Sequence, residues 1–373
     1  MKKKLFTAIG LMSGTSMDGV DLSIIRSDGY DQFCNILDDY YEYDKELQDQ
    51  LINLRELISI KDDLSKYIDK LRELERKFTL FNANLVNQTL KKLKYSVDLV
   101  GFHGQTIFHN SQTKITKQLG DGKLLSQLTK KKVVYDFRQN DINNGGEGAP
   151  LTPIFHKYLI KSKKIELPAC MLNIGGISNL TVIHNLNNHE IKSEDVGPGN
   201  CLINAWIQNY TNEKFDLEGR ISNMGKINEI ILEQALETHE NNFQRRKNIS
   251  LDINDFDISF ARGLNLEDGA ATLTAFTAES INRAYRNFLP RMPKESFLSG
   301  GGSFNKELRR QIGRRLPEVQ FRDFSELGQP AEAREAIGFA VLGNQFLVGE
   351  STTFPGITGN QTSVILGKLS LPN

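Results

Sequence analysis

The stretch from Ala8 to Ile25, AIGLMSGTSMDGVDLSII, constrains the fold more than any other part of the chain. Apolar residues alternate with period two on both sides of a small polar turn, a pattern typical of a β-hairpin. Gly14 and Gly19 allow backbone angles that a Cβ would forbid. Because Thr15 adds a hydroxyl beside main-chain N–H groups, the turn is predicted to form a concave anion site.

Asp18 stands at the tip of this turn, where a carboxylate is an unexpected neighbour for a bare anion. Its presence is explained if Mg²⁺ accompanies bound phosphate groups, because Mg²⁺ prefers carboxylate oxygen and water. The alternative is an ordinary tight turn capped by Thr, Ser and Asp. The spacing matches neither a P-loop, which needs a Lys before the hydroxyl and a helix after it, nor a dinucleotide-binding fingerprint.

A second strand, glycine turn and strand run from Ala169 to Ile183, with Gly175 and Gly176 at the tip. Two such hairpins, one opening each half, predict an internal duplication with a nucleotide held between two lobes. A chain of 373 residues fits two lobes that each bury a core. The expected fold class is α/β, with two duplicated lobes of mixed sheets flanked by helices. The expected boundaries are residues 1–155, joined by the C-terminal element 355–373, and residues 156–354.

The composition excludes several classes of partner. Lys plus Arg and Asp plus Glu both number 46, so the chain lacks the basic footprint of a nucleic-acid-binding protein. The three cysteines have no pairing or metal-like spacing and predict reduced thiols in the cytoplasm. Residues 1–12 imitate a signal peptide, but cleavage there would cut the first hairpin. No apolar run reaches the roughly 20 residues of a membrane span, so small-molecule partners are expected.

Two polar segments of the first half are candidates for substrate binding. Residues 97–102 predict a buried strand that runs into His103, and polar groups at strand ends are where open α/β sheets bind ligands. A lone histidine is more often structural, which is the alternative for His103. Residues 143–150, NNGGEGAP, predict a loop over the cleft. Glu147, which a mere linker would not need, is the second candidate.

The second half supplies further candidates. Asp195 ends a predicted strand before the turn of residues 197–200, where a fixed carboxylate can serve as a general base. The alternative role, a helix N-cap, is already filled by Asn200. Gly300, Gly301 and Gly302 let backbone approach a flat ring or a phosphate. The last helix, expected from about Ala331 to Val348, carries Glu335.

Several motifs in a fixed order make the resemblance to a known family specific. They are GTSMDGVD from Gly14 to Asp21, HGQT from His103, GDG from Gly120, DFR from Asp136 with GG at 145–146 and GAPL from Gly148, NIGGISNL from Asn173, Asp195 with GPGN from Gly197, and GGG from Gly300. This order resembles the sugar kinase, Hsp70 and actin superfamily, in which two duplicated lobes of actin-like (ribonuclease H-like) fold clamp ATP. More narrowly, the chain resembles the anhydro-N-acetylmuramic acid kinase family over nearly its whole length.

The resemblance implies a cytoplasmic kinase of cell-wall recycling that uses ATP and Mg²⁺. Such an enzyme opens the ring of 1,6-anhydro-N-acetylmuramic acid with water and phosphorylates O6, giving N-acetylmuramic acid 6-phosphate and ADP. By motif match Asp195 is the base. The residues implied in nucleotide binding are Gly14, Thr15, Ser16, Met17, Asp18, Gly19, Val20, Asp21, Gly175, Gly176, Gly300 and Gly301, with Asp18 also at the metal. Those implied in substrate binding are His103, Glu147 and Glu335.

Two other functions stay open at this point. One is a kinase for another anhydrosugar such as levoglucosan, which lacks the N-acetyl and lactyl groups. The other is a non-catalytic ATP-binding sensor, for which a base at Asp195 would be unnecessary. The sequence also leaves open whether the chain forms a homodimer.

Overall fold

The computed structural model describes residues 4–14, 16–110, 112–186, 190–244, 251, 253–328, 334–353, 355–360 and 362–373. The chain divides into two compact units. The first comprises Met1–Lys164 with Gly328–Asn373, and the second comprises Ile165–Leu327. Each unit is organised around one β-sheet.

The strands of the two sheets follow in chain order. The seven-stranded sheet of the first unit contains β1 Phe6–Ser13, β2 Gly19–Ser27, β3 Phe33–Glu42, β4 Leu99–Asn110, β5 Ile115–Leu119, β6 Lys132–Tyr135 and β12 Lys368–Ser370. The five-stranded sheet of the second unit contains β7 Ala169–Ile174, β8 Ile177–Ile183, β9 Ile191–Pro198, β10 Glu295–Ser299 and β11 Gln320–Asp323.

The two sheets repeat one plan. In the first unit β3, β2 and β1 are antiparallel neighbours, β1 pairs in parallel with β4, and β4 pairs in parallel with β6. In the second unit β9, β8 and β7 are antiparallel neighbours, and β7, β10 and β11 are parallel. Both predicted glycine hairpins are therefore present at equivalent places. The expected α/β class with duplicated mixed sheets flanked by helices is confirmed.

Helices flank each sheet. Those of the first unit are α1 Lys45–Leu57, α2 Lys61–Lys66, α3 Ile68–Lys92, α4 Gly122–Thr129, α5 Gln139–Asn143, α6 Thr152–Lys163, α12 Arg334–Val348 and α13 Pro355–Thr358. Those of the second are α7 Cys201–Tyr210, α8 Arg220–Met224, α9 Glu229–Gln244, α10 Leu266–Phe288 and α11 Lys306–Arg315. Across the part of the chain that the structure describes, none of them combines the length and apolar character of a membrane span.

Local sequence explains where the longer helices begin and which face they bury. The Asp44 carboxylate accepts a hydrogen bond from the Leu47 N–H at 2.8 Å and caps α1. In α3, Leu71, Leu74 and Phe78 recur at helical spacing and are buried in the core of the first unit. Most of the charged residues between them are exposed, as the periodicity predicts, and Glu75 pairs with Lys117.

The division of the chain differs from the expected lobe boundaries. The sequence pattern places residues 156–354 in the second lobe, whereas α6 and α12 belong to the first unit. The reason is packing, since α12 lies against β1, β2 and β4 and also contacts α6. Helical periodicity in the sequence does not reveal which of two similar sheets a helix covers.

Two glycines allow α12 to lie directly on the central strands. A Cβ built on Gly10 in β1 would be 1.8 Å from the Ala336 carbonyl oxygen. A Cβ on Gly101 in β4 would be 2.2 Å from the Phe339 carbonyl oxygen. Because neither neighbour is a flexible side chain, any other residue at these positions would force the helix away from the sheet.

We expect Gly10→Ala to lower the free energy of unfolding by about 1–3 kcal/mol, the usual range for overpacking. Gly313→Ala in α11 is the matched control, because a Cβ there meets nothing within 4 Å. That change should leave stability equal or raise it by up to about 1 kcal/mol. Chemical denaturation of both variants measures the difference, and equal stabilities would contradict the close packing of α12.

Candidate active site

The predicted phosphate turn joins β1 and β2 in the first unit. Met17 adopts a left-handed backbone with φ 55°, and its N–H donates to the Gly14 carbonyl at 3.3 Å. A Cβ on Gly14 would meet only the Ser16 hydroxyl, at 3.6 Å, so there is open space beside this backbone. Thr15 lies outside the described residues, and its contact with phosphate stays a prediction.

The fold itself accounts for several residues of this turn. The side chains of Met17 and Val20 are each 1% exposed and belong to the core of the first unit. A Cβ on Gly19 would be 2.5 Å from the Tyr41 carbonyl oxygen, so Gly19 is required by the close approach of β3. Asp21 lies in β2 opposite Tyr40.

Asp18 is exposed and has an environment that favours its charged form. The Ser16 hydroxyl donates to Asp18 Oδ1 at 2.6 Å, and this hydrogen bond is the main reason that the pKa of Asp18 is lowered. The Tyr40 hydroxyl also contacts this carboxylate, and burial together with the charge of Asp18 raises the pKa of Tyr40 to about 12. Asp18 is therefore ionised at neutral pH.

The donor set around Asp18 fits magnesium better than a metal held by protein side chains alone. Within the described ranges, no three His, Cys, Asp or Glu side chains gather where they could hold a metal ion. Mg²⁺ commonly uses one or two carboxylates and completes its octahedron with water and substrate phosphates. A single exposed carboxylate beside a predicted phosphate turn meets that requirement.

A buried hydrogen-bond network that the sequence analysis missed supports the turn. Ser13 donates its hydroxyl proton to Gln105 Oε1 at 2.5 Å and accepts a hydrogen bond from the Tyr43 hydroxyl. Gln105 Nε2 in turn donates to the Gly14 carbonyl at 3.0 Å. The network fixes the first residue of the turn to β4, and its signal in the sequence is the Gln of the HGQT motif.

His103 lies within β4 rather than beyond its end, at the level where parallel pairing with β6 stops. Its Nδ1–H donates to the Gly104 carbonyl at 2.8 Å, and its Nε2 accepts from Arg138 Nε at 2.9 Å. Burial and the charge of Arg138 hold the pKa of His103 well below its ordinary value. The imidazole is therefore neutral, and both of its nitrogens bind protein groups. Direct contact of His103 with substrate stays a prediction.

Arg138 is the residue of this region that the sequence analysis did not single out. Its Nη1 donates to the Gly148 carbonyl at 2.8 Å, and burial lowers its pKa while the charge of Glu335 opposes that effect. Arg138 and Glu335 line a cavity of about 30 Å³. The other residues that line it are Met12, Leu151, Thr152, Phe155, Gly338, Phe339 and Leu342.

Residues 143–150 have the composition of a mobile loop, but a buried carboxylate holds them. Asp141 is 0% exposed and accepts hydrogen bonds from the Gly148 N–H at 2.8 Å and the Thr358 hydroxyl at 2.7 Å. The Glu147 N–H donates to the Thr358 carbonyl at 2.8 Å. Glu147 is an exposed residue, yet partial burial of its carboxyl group raises its pKa. The charge of Asp141 raises this pKa further. A role for this segment as a loop over a cleft stays a prediction.

In the second unit the predicted glycine turns come together at the carboxyl ends of β7 and β10. The Gly175 carbonyl accepts from the Asn200 N–H, and the Gly176 carbonyl accepts from the Gly199 N–H, both at 2.8 Å. A Cβ on Gly300 would be 2.5 Å from the Ile174 carbonyl oxygen, at the end of β7. Carboxyl ends of adjacent parallel strands are the usual ligand-binding edge of such sheets.

The three consecutive glycines have different roles. Gly300 has φ 81°, and Gly302 lies so close to Ile174 that a Cβ would be 2.3 Å from its Cγ2. Gly301 is exposed, and a Cβ there would meet only Asn200 Nδ2, at 3.6 Å. Protein packing thus explains two of the glycines, whereas Gly301 leaves accessible backbone for a ligand.

Asp195 lies in β9, half-buried, with both carboxylate oxygens held by donors. Asn179 Nδ2 on β8 donates to Oδ1 at 3.0 Å, and the Leu251 N–H donates to Oδ2 at 3.0 Å. The Ser193 hydroxyl donates to Asn179 Oδ1 at 3.1 Å and so fixes the amide that contacts Asp195. Asn200 occupies the N-cap position of α7, although its side chain makes no capping hydrogen bond.

The structure thus brings together two sets of candidates, one in each unit. The first unit holds the phosphate turn with Asp18 and, separately, the cavity of Arg138 and Glu335. The second unit holds Asp195 and the glycine turns at 175–176 and 300–301. That Asp18 and Asp195 act on one substrate stays a prediction.

A family model and several curated relatives that are similar to this chain share one description. A family model for anhydro-N-acetylmuramic acid kinase matches residues 6–372. A curated relative of that name from Pelagibacter ubique is 47% identical over 98% of this chain and 99% of its own length. Relatives of the same name from Rhizobium etli and Rhizobium johnstonii are 37% and 38% identical, again over 98% of this chain and 99% of theirs.

Proposed function

Since the chain belongs to the anhydro-N-acetylmuramic acid kinase family, we propose that it opens the ring of 1,6-anhydro-N-acetylmuramic acid with water and phosphorylates O6 from ATP. The products are N-acetylmuramic acid 6-phosphate and ADP. The match to the family along residues 6–372 is the observation that carries the proposal. The setting we infer is cell-wall recycling in the cytoplasm.

The bridged sugar dictates what the site has to do. It has no free 6-hydroxyl, so water must attack the anomeric carbon while O6 leaves that carbon and takes the γ-phosphoryl group. A carboxylate on the face opposite O6 can deprotonate the water, as the base of an inverting glycosidase does. We assign this role to Asp195, because Asn179 and the Leu251 N–H fix the orientation of its carboxylate.

The remaining candidates bind the two substrates. Residues 14–21 would bind the ATP phosphates, with Asp18 holding Mg²⁺. The metal supplies charge neutralisation of the transferring phosphoryl group. Gly175, Gly176, Gly300 and Gly301 would border the adenosine, which the accessible backbone of Gly301 supports. His103, Glu147 and Glu335 are the proposed sugar-binding residues.

The test of this function is product analysis by mass spectrometry after turnover in ¹⁸O-labelled water. We expect label at the anomeric hydroxyl and none in the phosphoryl group, because water attacks carbon and not phosphorus. Preformed unlabelled product incubated in the same water corrects for spontaneous anomeric exchange. Levoglucosan, assayed in parallel, should be a poor substrate. Label in the phosphate, or ADP release that does not depend on the amino sugar, would contradict the proposal.

Asp195→Asn should lower kcat by about 10²–10⁴-fold, the usual effect of losing a general base. The Kd for nucleotide, measured by calorimetry, should stay within about threefold of the parent value, because the substitution alters the proposed general base and none of the proposed nucleotide-binding residues. The matched control is Glu194→Gln, which alters the exposed neighbouring carboxylate on β9 and should leave kcat unchanged. Normal turnover by Asp195→Asn would remove Asp195 from the mechanism.

Asp18→Asn should raise the Mg²⁺ concentration needed for half-maximal rate by about tenfold or more, because a charge-assisted contact is lost. Binding of ATP in the absence of Mg²⁺ should change little. Asp49→Asn, at an exposed position of α1, is the control. If the Mg²⁺ dependence of Asp18→Asn equals that of the parent protein, Asp18 is not the metal ligand.

A further inference from the structure

Arg138 is a half-buried cation whose guanidinium is only partly used by the protein. Nε donates to His103 Nε2 at 2.9 Å, and Nη1 donates to the Gly148 carbonyl at 2.8 Å. An arginine carries five N–H donors in a fixed fork. Among the described residues Nη2 makes no hydrogen bond of its own, although Arg138 borders the cavity that Glu335 also lines.

Both protein groups that hold Arg138 are uncharged. The Gly148 carbonyl is neutral, and His103 is kept neutral by its burial and by the charge of Arg138. His103 is also fixed in orientation, because its Nδ1–H donates to the Gly104 carbonyl and its ring packs 4.5 Å from that of Phe339. The guanidinium is therefore oriented without being paired to an anion at these two contacts.

Charged side chains near Arg138 act on its guanidinium through space. Glu335 acts on Arg138 through its charge, which raises the pKa of the guanidinium and opposes the effect of burial. The other titratable neighbour is His109, whose pKa is lowered chiefly by burial and also by the charge of Arg138. A buried guanidinium with unused donors binds an anionic oxygen pair more strongly than a neutral carbonyl, because such contacts are charge-assisted and bidentate.

The cavity fits a small group of the ligand. Its volume of about 30 Å³ corresponds to roughly two water-sized oxygen atoms, and the cavity is partly open, so the rest of a larger ligand can extend beyond it. Its remaining walls are largely apolar, with Met12, Phe155 and Leu342 among them. A carboxylate that carries a neighbouring methyl group satisfies both the donors of Arg138 and these walls.

We propose that Arg138, positioned by neutral His103, recognises the lactyl carboxylate of the substrate and so determines specificity for the muramic acid form of the anhydrosugar. This inference rests on the proposed function. It assigns Arg138 to substrate contact and replaces the direct sugar contact proposed above for His103 with a positioning role that acts through Arg138.

The first experiment compares the acid with its primary amide, which has the same shape but no charge. The parent protein should prefer the acid in kcat/KM by about 10–100-fold, the range expected for one charge-assisted pair. Arg138→Gln should lose that factor on the acid and change by less than about threefold on the amide. Arg76→Gln, at an exposed position of α3, should keep the full preference.

The second experiment separates positioning from folding at His103. His103→Gln keeps an acceptor for Arg138 Nε, whereas His103→Leu removes it. We expect His103→Leu to raise KM for the acid by about tenfold with little change in kcat or in KM for the amide. His103→Gln should restore most of the acid preference. Thermal unfolding of both variants shows whether either has lost its fold.

The outcomes distinguish this inference from the proposed function. If Arg138→Gln weakens the acid and the amide equally, Arg138 does not recognise the carboxylate and the inference is wrong. Calorimetric binding of the acid and the amide without nucleotide provides a readout that is independent of turnover. A protein that binds the acid through Arg138 but does not phosphorylate it would overturn the proposed function and leave this inference standing.

Discussion

The first unit depends on the direct contact between α12 and the central strands. Gly10 and Gly101 remove the side chains that would separate helix from sheet, and carbonyl oxygens of α12 occupy the space. Strand β1 ends at the predicted phosphate turn, and strand β4 carries His103. Glu335 is the second residue of α12. Pairing of β1 with β4 sets the predicted phosphate turn relative to His103, and the contact between helix and sheet sets Glu335 relative to both strands.

The two sheets use one arrangement to present two different sets of candidate residues. In each unit an antiparallel hairpin is followed by parallel strands, so that a glycine turn lies at the ligand-binding edge. In the first unit this turn is held by Gln105 of β4, whose side chain donates a hydrogen bond to the Gly14 carbonyl. In the second it is fixed by the start of α7, whose Asn200 N–H donates to the Gly175 carbonyl. The two units thus share one arrangement of strands and differ in the groups that hold the turn.

The sequence predicts those features whose signal is local. Alternating apolar residues around glycines predict both hairpins, and helical spacing in α3 predicts its buried face. The placement of α12 in the first unit is not predictable in this way, because the strands β1, β2 and β4 that it covers are more than 200 positions away. The hydrogen bonds that hold residues 143–150 are equally absent from the local pattern, since they involve buried Asp141 and the distant Thr358.

Arg138 shows why the role of a side chain is harder to predict from the sequence than an element of the fold. It follows a strand and a left-handed Asp136 in the DFR motif, and that motif marks its position without indicating what its side chain does. Its role depends on His103 and on Gly148, which the fold brings to it from 35 and 10 positions away.

The choice of a neutral histidine at this contact has a physical consequence. A carboxylate in place of His103 would bind the guanidinium more strongly, but it would also cancel the charge that an anionic ligand needs. Its removal from water would cost free energy that the pair recovers only in part. A neutral imidazole orients the guanidinium and leaves its charge to the ligand. Burial maintains this state, because it keeps the pKa of His103 far below neutral pH and so prevents two cations from facing each other.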